Sequence, residues 1–356
     1  MARLIAGVSG GVDSAVAAAR AVEAGHEVHA IYLILTRGVG TLRAGAVAPA
    51  DHVEDARRVA DQLGIGFEVW DLSEEFHREV VQDFLDEYAR GRTPNPCTRC
   101  NERIKFGTVV DRAVALGFEG VVTGHYARLK VREDGVVELH RAVDRAKDQS
   151  YVLGVLTQEQ LRRCVFPLGE SDKGEVRREA KVHGFPVADK PESFDICFIP
   201  DGETAEYLYQ KLGNAPGEIR DEDGEVLGRH QGVYAYTIGQ RKGLRLGSPA
   251  GDGRPRYVLG LDSAHNTVIV GPREHLRING ITGTHARWCE TPPADTLSGT
   301  VQLRAHADEV PALITPTEGG VTIELQSPTY GIAPGQAAVI YRGTQVLGAS
   351  TIDTTW

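Results

Sequence analysis

The stretch Leu4-Ile-Ala-Gly-Val8-Ser9-Gly10-Gly11-Val12-Asp13-Ser14 decides how this chain is read. A short apolar strand runs into a two-glycine turn, and an Ala-rich helix follows from Asp13 to near Gly25. Gly10 and Gly11 let backbone approach an anion closely, and the N–H groups of the first helical turn point at it. The helix dipole favours negative charge there. Ser9 and Ser14 add hydroxyl donors. Asp13 is an unexpected charge beside phosphate unless it holds Mg²⁺ or caps the helix. The string lacks the Gly-Lys-Ser/Thr of a Walker A loop, so no local lysine follows the γ-phosphate. The plain alternative is a strand-to-helix turn with a serine cap.

Working outward, residues 28–35 are almost continuously apolar, as in a strand covered on both faces. Helical spacing of apolar residues marks 51–63, and 67–70 reads as a third strand. Ser73 reads as the N-cap of a helix with Phe76, Val80, Val81, Phe84, Leu85 and Tyr88 on one side. A further helix covers about 101–116, and 120–123 reads as a fourth strand. This alternation predicts an α/β fold, a doubly wound parallel sheet with ligands at the carboxyl ends of its strands. After about residue 205 the pattern changes. Asp223-Gly224 and His265-Asn266 read as tight turns, and short strands without a helix continue from about 279. The expected division is 1–205 for the nucleotide domain, 206–278 for a small mixed or β central domain, and 279–356 for a C-terminal β-barrel.

The totals agree with a multidomain globular chain. It has 356 residues, 41% of them hydrophobic and 25% charged. No run reaches the ~18 apolar residues needed to cross a bilayer. The first residues carry neither a basic n-region nor a small-residue cleavage site, which argues for a cytoplasmic protein with no membrane partner. The net charge of −10 argues against a nucleic-acid binder when taken alone. Its distribution is uneven. Residues 51–90 hold twelve acids and four bases. Residues 225–260 hold Arg229, Arg241, Lys242, Arg245, Arg254 and Arg256 against Glu225 and Asp252. Gln240, Arg241 and Lys242, interleaved with Tyr234 and Tyr236, suit stacking and phosphate contact, or else a solvated surface.

Five cysteines in such a chain are not a disulfide framework. Cys97 and Cys100 lie in Thr93-Pro-Asn-Pro-Cys-Thr-Arg-Cys-Asn-Glu-Arg-Ile-Lys-Phe106. Two prolines make the approach rigid, and Cys100 then falls near a helix start, where the dipole favours a thiolate. Cys197 lies in the loop-like Lys190-Pro-Glu-Ser-Phe-Asp-Ile-Cys-Phe-Ile-Pro-Asp-Gly202. Cys164 and Cys289 read as small hydrophobes.

The Ser9–Ser14 string resembles the PP-loop of the ATP pyrophosphatases, which transfer AMP to a carbonyl or carboxyl oxygen. The two cysteine motifs are similar to those of the tRNA-specific 2-thiouridylases. So are Thr123-Gly-His-Tyr-Ala127, Lys147-Asp-Gln-Ser-Tyr-Val-Leu153 and Tyr236-Thr-Ile-Gly-Gln-Arg-Lys-Gly243. The resemblance covers about residues 5–350. It implies an ATP-dependent sulfurtransferase that converts the C2 carbonyl of the wobble uridine (position 34) to a thiocarbonyl, releasing AMP and pyrophosphate. It implies ATP with Mg²⁺, tRNA as partner, and a persulfide donor protein, either a cysteine desulfurase or a sulfur-relay protein. It makes Cys197 the persulfide carrier and Cys100 the nucleophile, attacking either the persulfide or the base, with a Cys100–Cys197 disulfide left in the first case, and it makes Asp13 a further catalytic residue.

By the same resemblance Gly7, Val8, Ser9, Gly10, Gly11, Val12, Asp13, Ser14, Leu33 and Gly124 bind ATP. The family often has Met at the place of Leu33. Asn95, Pro96 and Cys97 line the target base, and many members have Asp where this chain has Cys97. His125, Lys147, Asp148, Gln149, Arg304 and Gln336 contact tRNA, although the chain departs from the family around Ala305-His306-Ala307. The plain alternatives are a satisfied strand-end histidine at His125 and a surface turn at Lys147-Asp148. Cys97, Cys100 and Cys197 are also an iron–sulfur ligand set, a reading less favoured than the persulfide pair. Two rival functions remain: a PP-loop synthetase acting on a carboxylate, and a metal-stabilised tRNA-binding module.

Overall fold

The computed structural model describes residues 1–37, 49–191, 196–199, 203–244, 246 and 253–356. Residues 192–195 and 200–202 of the Cys197 motif, and Arg245 and Asp252 of the basic stretch, lie outside the described residues.

Strands β1 (Arg3–Gly7), β2 (Glu27–Ile34), β3 (Gly66–Asp71) and β4 (Gly120–Val122) belong to one parallel sheet. The hairpin of β5 (Ala127–Val131) and β6 (Val137–Arg141) leaves that sheet, and β7 (Cys164–Val165) rejoins it beside β4. The order is β3-β2-β1-β4-β7. Alternate residues explain why both faces are covered. Ile5 and Ile31 point into a core with Phe76, Phe84, Ile104 and Phe106. Leu4, Ala6 and Ala30 point into another with Ala15, Ala18, Val59 and Val176. Strand order reverses between β1 and β4, so the crevice expected of a doubly wound sheet opens at their carboxyl ends.

Two sequence expectations need correction here. Ser73 is the first residue of its helix and Leu72 holds the cap position; the Asp71 carboxylate accepts from the Ser73 N–H at 3.0 Å and the Ser73 hydroxyl at 2.6 Å. The stretch read as one helix over 101–116 begins earlier, at Pro96, and is not uniform. An α turn Pro96–Arg99 passes into a π-helical segment Cys100–Thr108 and then an α-helix Val109–Ala115.

The central part pairs β8 (Gly217–Arg220), β9 (Val226–His230), β10 (Tyr257–Asp262) and β11 (Thr267–Gly271) in the order β10-β11-β8-β9. The expected turns are present, with φ of +87° at Gly224 and +49° at Asn266. Six strands then close a barrel: β12 (Arg277–Trp288), β13 (Leu297–Gln302), β14 (Val310–Thr317), β15 (Gly320–Tyr330), β16 (Ala337–Arg342) and β17 (Gln345–Thr355). Their order is β12-β15-β14-β13-β16-β17, and β12 pairs back onto β17. Closure removes the free strand edges.

The β5–β6 hairpin pairs with β17, welding the nucleotide domain to the barrel. Arg141, at the end of β6, is buried where they meet. It holds Asp148 at 2.8 Å and Glu309 at 2.6 Å and lies over the Tyr341 ring at 3.6 Å. Sequence alternation alone did not separate this hairpin from the strands around it.

Candidate active site

The Gly-rich loop follows β1 into the helix Val12–Glu23. Gly10 has φ of +73°, and a Cβ there would meet the His52 carbonyl at 2.6 Å, so no side chain fits. The Ser14 hydroxyl ties the loop together. It accepts from the Ser9 N–H at 3.0 Å and donates to the Gly11 carbonyl at 3.0 Å. Gly124, just beyond β4, packs so tightly on the helix start that a Cβ would lie 2.8 Å from the Ser14 nitrogen. Leu33 stands near the end of β2, half-buried. The residues expected to bind ATP are thereby gathered at the reversal of strand order.

Two lysines that sequence reasoning missed reach this loop from far along the chain. Lys173 Nζ lies 2.5 Å from Asp13 Oδ1, which also accepts from the Tyr126 hydroxyl at 2.9 Å. Lys190 Nζ donates to the Gly10 carbonyl at 3.0 Å and pairs with Asp55 at 2.5 Å. The loop thus has cations after all, supplied by the fold. Asp13 is engaged by Lys173 and Tyr126, and a Mg²⁺ bound there would have to share it.

Asn95 caps the turn that carries the first two thiols, accepting from the Cys97 N–H at 3.1 Å, with Pro96 at the first helical position. Cys97 is exposed and Cys100 buried, one turn in from the helix start. Desolvation at Cys100 pushes its thiol above the ordinary range in the free protein, with Lys105 acting the other way. Protein packed around Cys97 partly desolvates its sulfur and raises that thiol too, although the residue keeps an exposed face.

Cys197 is exposed at its loop, but Phe198 anchors it, packing against Phe76, Phe84 and Tyr207 with centroids 5.3 to 5.7 Å away. Desolvation and then the charges of Cys100 and Cys97 push the Cys197 thiol up to about 12. The three thiols are close enough for their charges to act on one another. They are not gathered within 4.8 Å of one another, the span that would put all three on a single ion. Cys164 and Cys289 are buried elsewhere. One positive charge, Lys105, acts on all three site thiols and favours their ionised forms.

The remaining expected contacts are tied into the structure. His125 is 6% exposed, between Phe106 and Phe166 at centroid distances of 5.6 and 5.8 Å, and shares a 2.7 Å hydrogen bond with Thr123. Burial keeps it neutral, well below the usual imidazole range. Asp148 is paired with Arg141 and accepts from the Ala142 and Ser150 N–H groups. Gln149 accepts from the Tyr126 N–H at 3.0 Å. Lys147 is half-buried at the preceding turn. Arg304 donates to the carbonyls of Tyr330 and Gly331, and Gln336 to that of Thr93. Tyr234 and Tyr236 are buried, which corrects the expectation that they offer stacking faces. Arg241 and Lys242 are exposed.

Fold and site together define a class: a PP-loop type α/β nucleotide domain with a thiol pocket, followed by a β domain and a closed barrel. Three family models cover the chain in series. They are a tRNA methyl transferase HUP domain over residues 2–201, a tRNA methyl transferase PRC-barrel domain over 205–272, and an aminomethyltransferase β-barrel domain over 278–352. A tRNA-specific 2-thiouridylase MnmA of Nocardioides sp. is 60% identical over 99% of this chain and 98% of its own length. Those of Acidothermus cellulolyticus and Cutibacterium acnes are 56% and 54% identical over 99% and 98% of this chain, and 98% and 96% of their own. The chain belongs to the tRNA-specific 2-thiouridylase (MnmA) family.

Proposed function

We propose that this protein uses ATP to thiolate the C2 position of the wobble uridine, position 34, in tRNA. The observation that carries the reading is the dipeptide Gly124-His125. Gly124 packs on the start of the ATP-loop helix, and His125 packs on Phe106 of the segment that bears Cys100. This supports a single crevice for nucleotide and thiols, as a reaction coupling them requires. Either chemistry alone would need only one of these centres.

The urea-like oxygen of uridine is a poor leaving group, and adenylation turns it into a phosphate ester that departs as AMP. The loop amides, Lys173 and Lys190 orient the ATP phosphates, and a Mg²⁺ held at Asp13 would supply positive charge to the pyrophosphate oxygens. Cys197, itself exposed, receives a persulfide from a cysteine desulfurase or sulfur-relay protein. The Cys100 thiolate attacks the inner sulfur of that persulfide. The sulfur–sulfur bond breaks and the terminal sulfur leaves as hydrosulfide with the electron pair. Hydrosulfide adds to C2, AMP departs, and the sulfur-bound proton goes to solvent. The Cys100–Cys197 disulfide that remains is reduced by an external thiol. Asn95, Pro96 and Cys97 border the base, which must leave its stack to enter. The domain boundaries 1–205, 206–278 and 279–356 assign the basic central stretch and the barrel to holding tRNA in a cytoplasmic enzyme.

The test separates activation from sulfur transfer. Cys197→Ser is expected to release pyrophosphate from ATP in the presence of tRNA while forming no 2-thiouridine by nucleoside mass spectrometry. Undiminished thiolation by that variant would overturn the reading.

A further inference from the structure

The segment that carries Cys100 is wound as a π-helix, and the structure shows what holds it. The Val109 N–H bonds to the Ile104 carbonyl, five residues back. Gly107 sits close over the Glu102 carbonyl, where a Cβ would come within 3.1 Å. A π turn leaves carbonyls poorly used, and here one side chain takes two of them. Gln160 Nε2 donates to the Glu102 carbonyl at 3.1 Å and to the Phe106 carbonyl at 2.9 Å. The other end of the same amide caps its own helix, accepting from the Thr157 N–H at 3.0 Å.

The winding changes which side chains face each other. In an α-helix residues five apart diverge by about 140°, at 100° per residue. In a π segment, with its five-residue hydrogen bonds and wider turn, they come round much closer to one face. Lys105 is five residues beyond Cys100. It is half-buried, and among the described residues it has neither a hydrogen bond nor an ion pair. The nearby carboxylate of Glu102 is committed to Arg99 at 3.0 Å and Arg287 at 3.3 Å. A half-buried, uncommitted ammonium on the segment that carries a buried sulfur is costly unless something anionic arrives there.

We propose that Gln160 is a positioning residue that holds the π turn, and that the turn presents Lys105 as the positive charge for sulfur transfer. This rests on the thiolation reading above. In that transfer negative charge moves from the Cys100 sulfur to the departing hydrosulfide. Lys105 lies beside that path and stabilises the charge throughout, while the proton and electron inventory of the step is unchanged. Its influence on Cys97, Cys100 and Cys197 together agrees with that placement.

The experiment measures 2-thiouridine formed per pyrophosphate released by the full chain with tRNA, ATP and a persulfide donor. Lys105→Met is expected to lower this ratio at least tenfold, and Lys105→Arg to restore most of it. Gln160→Glu keeps the acceptor for Thr157 but loses the two donors, and is expected to lower the ratio in the same way. Circular dichroism and a thermal midpoint check that each variant folds. A wild-type ratio in folded Lys105→Met, or its loss in Lys105→Arg as severe as in Lys105→Met, overturns the proposal while leaving thiolation intact. If the wild-type protein forms no thiouridine, both readings fall together.

Discussion

Gln336 Nε2, in the turn before the barrel strand β16, donates to the carbonyl of Thr93 at 2.7 Å, four residues before Cys97. The Thr93 N–H donates to the Pro334 carbonyl at 2.8 Å, and its hydroxyl lies 3.4 Å from that of Thr237. Arg92 beside it pairs with Asp353 of β17 at 2.8 Å. One short segment thus joins the barrel, the central domain and the thiol-bearing turn.

Gln336→Ala is therefore expected to cost about 1–2 kcal/mol, because a largely buried carbonyl loses its partner. Thermal denaturation should show a midpoint lower by ~2–4 °C per kcal/mol. Thiolation should fall more than this stability loss explains, because the rigid approach to Cys97 and Cys100 loosens. Wild-type values for both measurements would show that the contact is incidental.

Lys173 stands between Asp13 and the loop expected to hold ATP phosphates. Replacing it with Met should raise KM for ATP about tenfold or more, since a charge-assisted hydrogen bond contributes ~1.5–3 kcal/mol. Pyrophosphate release measured against ATP concentration decides this. Unchanged ATP dependence would confine Lys173 to its ion pair with Asp13.

These lysines mark where sequence reading stopped. The loop was legible because its glycines, serines and helix lie within six consecutive residues, and the strand pattern around it has a fixed period. Lys173 and Lys190 are some 160 and 180 positions away, and only the folded sheet brings them back. The π winding was illegible for a different reason. Residues 100–108 have ordinary helical composition, and the winding depends on Gln160 from another helix. The barrel was legible through its turns, but the hairpin β5–β6 carried no mark of its attachment to β17. Burial of Tyr234, Tyr236 and Asp148 likewise follows from packing that no local pattern encodes.

The thiols give a pH prediction with a definite sign. A raised pKa keeps a thiol protonated, and only the thiolate is alkylated. In the free protein Cys197, pushed up to about 12, should react slowly with iodoacetamide at pH 7 and faster through pH 10, without levelling near the ~8.5 of an ordinary thiol. Stability moves the opposite way. Cys289, buried and also pushed up to about 12, favours folding below ~8.5 and loses that contribution as pH rises toward its folded value. Peptide mass spectrometry after timed alkylation checks the first, and a plateau for Cys197 by pH 8.5 would refute it.

Arg241 and Lys242 are exposed in an acidic protein, so tRNA affinity should fall steeply with salt. Replacing both with Ala should weaken binding and flatten the plot of log K against log salt by about 1–2 units. An unchanged slope would move the tRNA face elsewhere on the molecule.

Cys97 stands where the family motif that this chain resembles is expected to have Asp in many members, and its position allows two roles. It is exposed, and its N–H is capped by Asn95, so it borders the crevice without being fixed in the core. In the first role it packs beside the base or tunes Cys100, whose thiol is raised further whenever Cys97 is ionised. In the second, Cys97, Cys100 and Cys197 hold three corners of an iron–sulfur cluster and the open iron carries the sulfur. The first is favoured, because the Asp of relatives can border a base and carry a charge without a thiol. Cys97→Asp should then keep near-full thiolation with an aerobically supplied persulfide donor and bind no iron. Removing the neutral thiol for a permanent carboxylate should also slow alkylation of Cys100, since added negative charge disfavours its thiolate. Loss of thiolation in folded Cys97→Asp, with visible absorbance in the anaerobic wild-type protein that tracks its turnover, would establish the cluster instead.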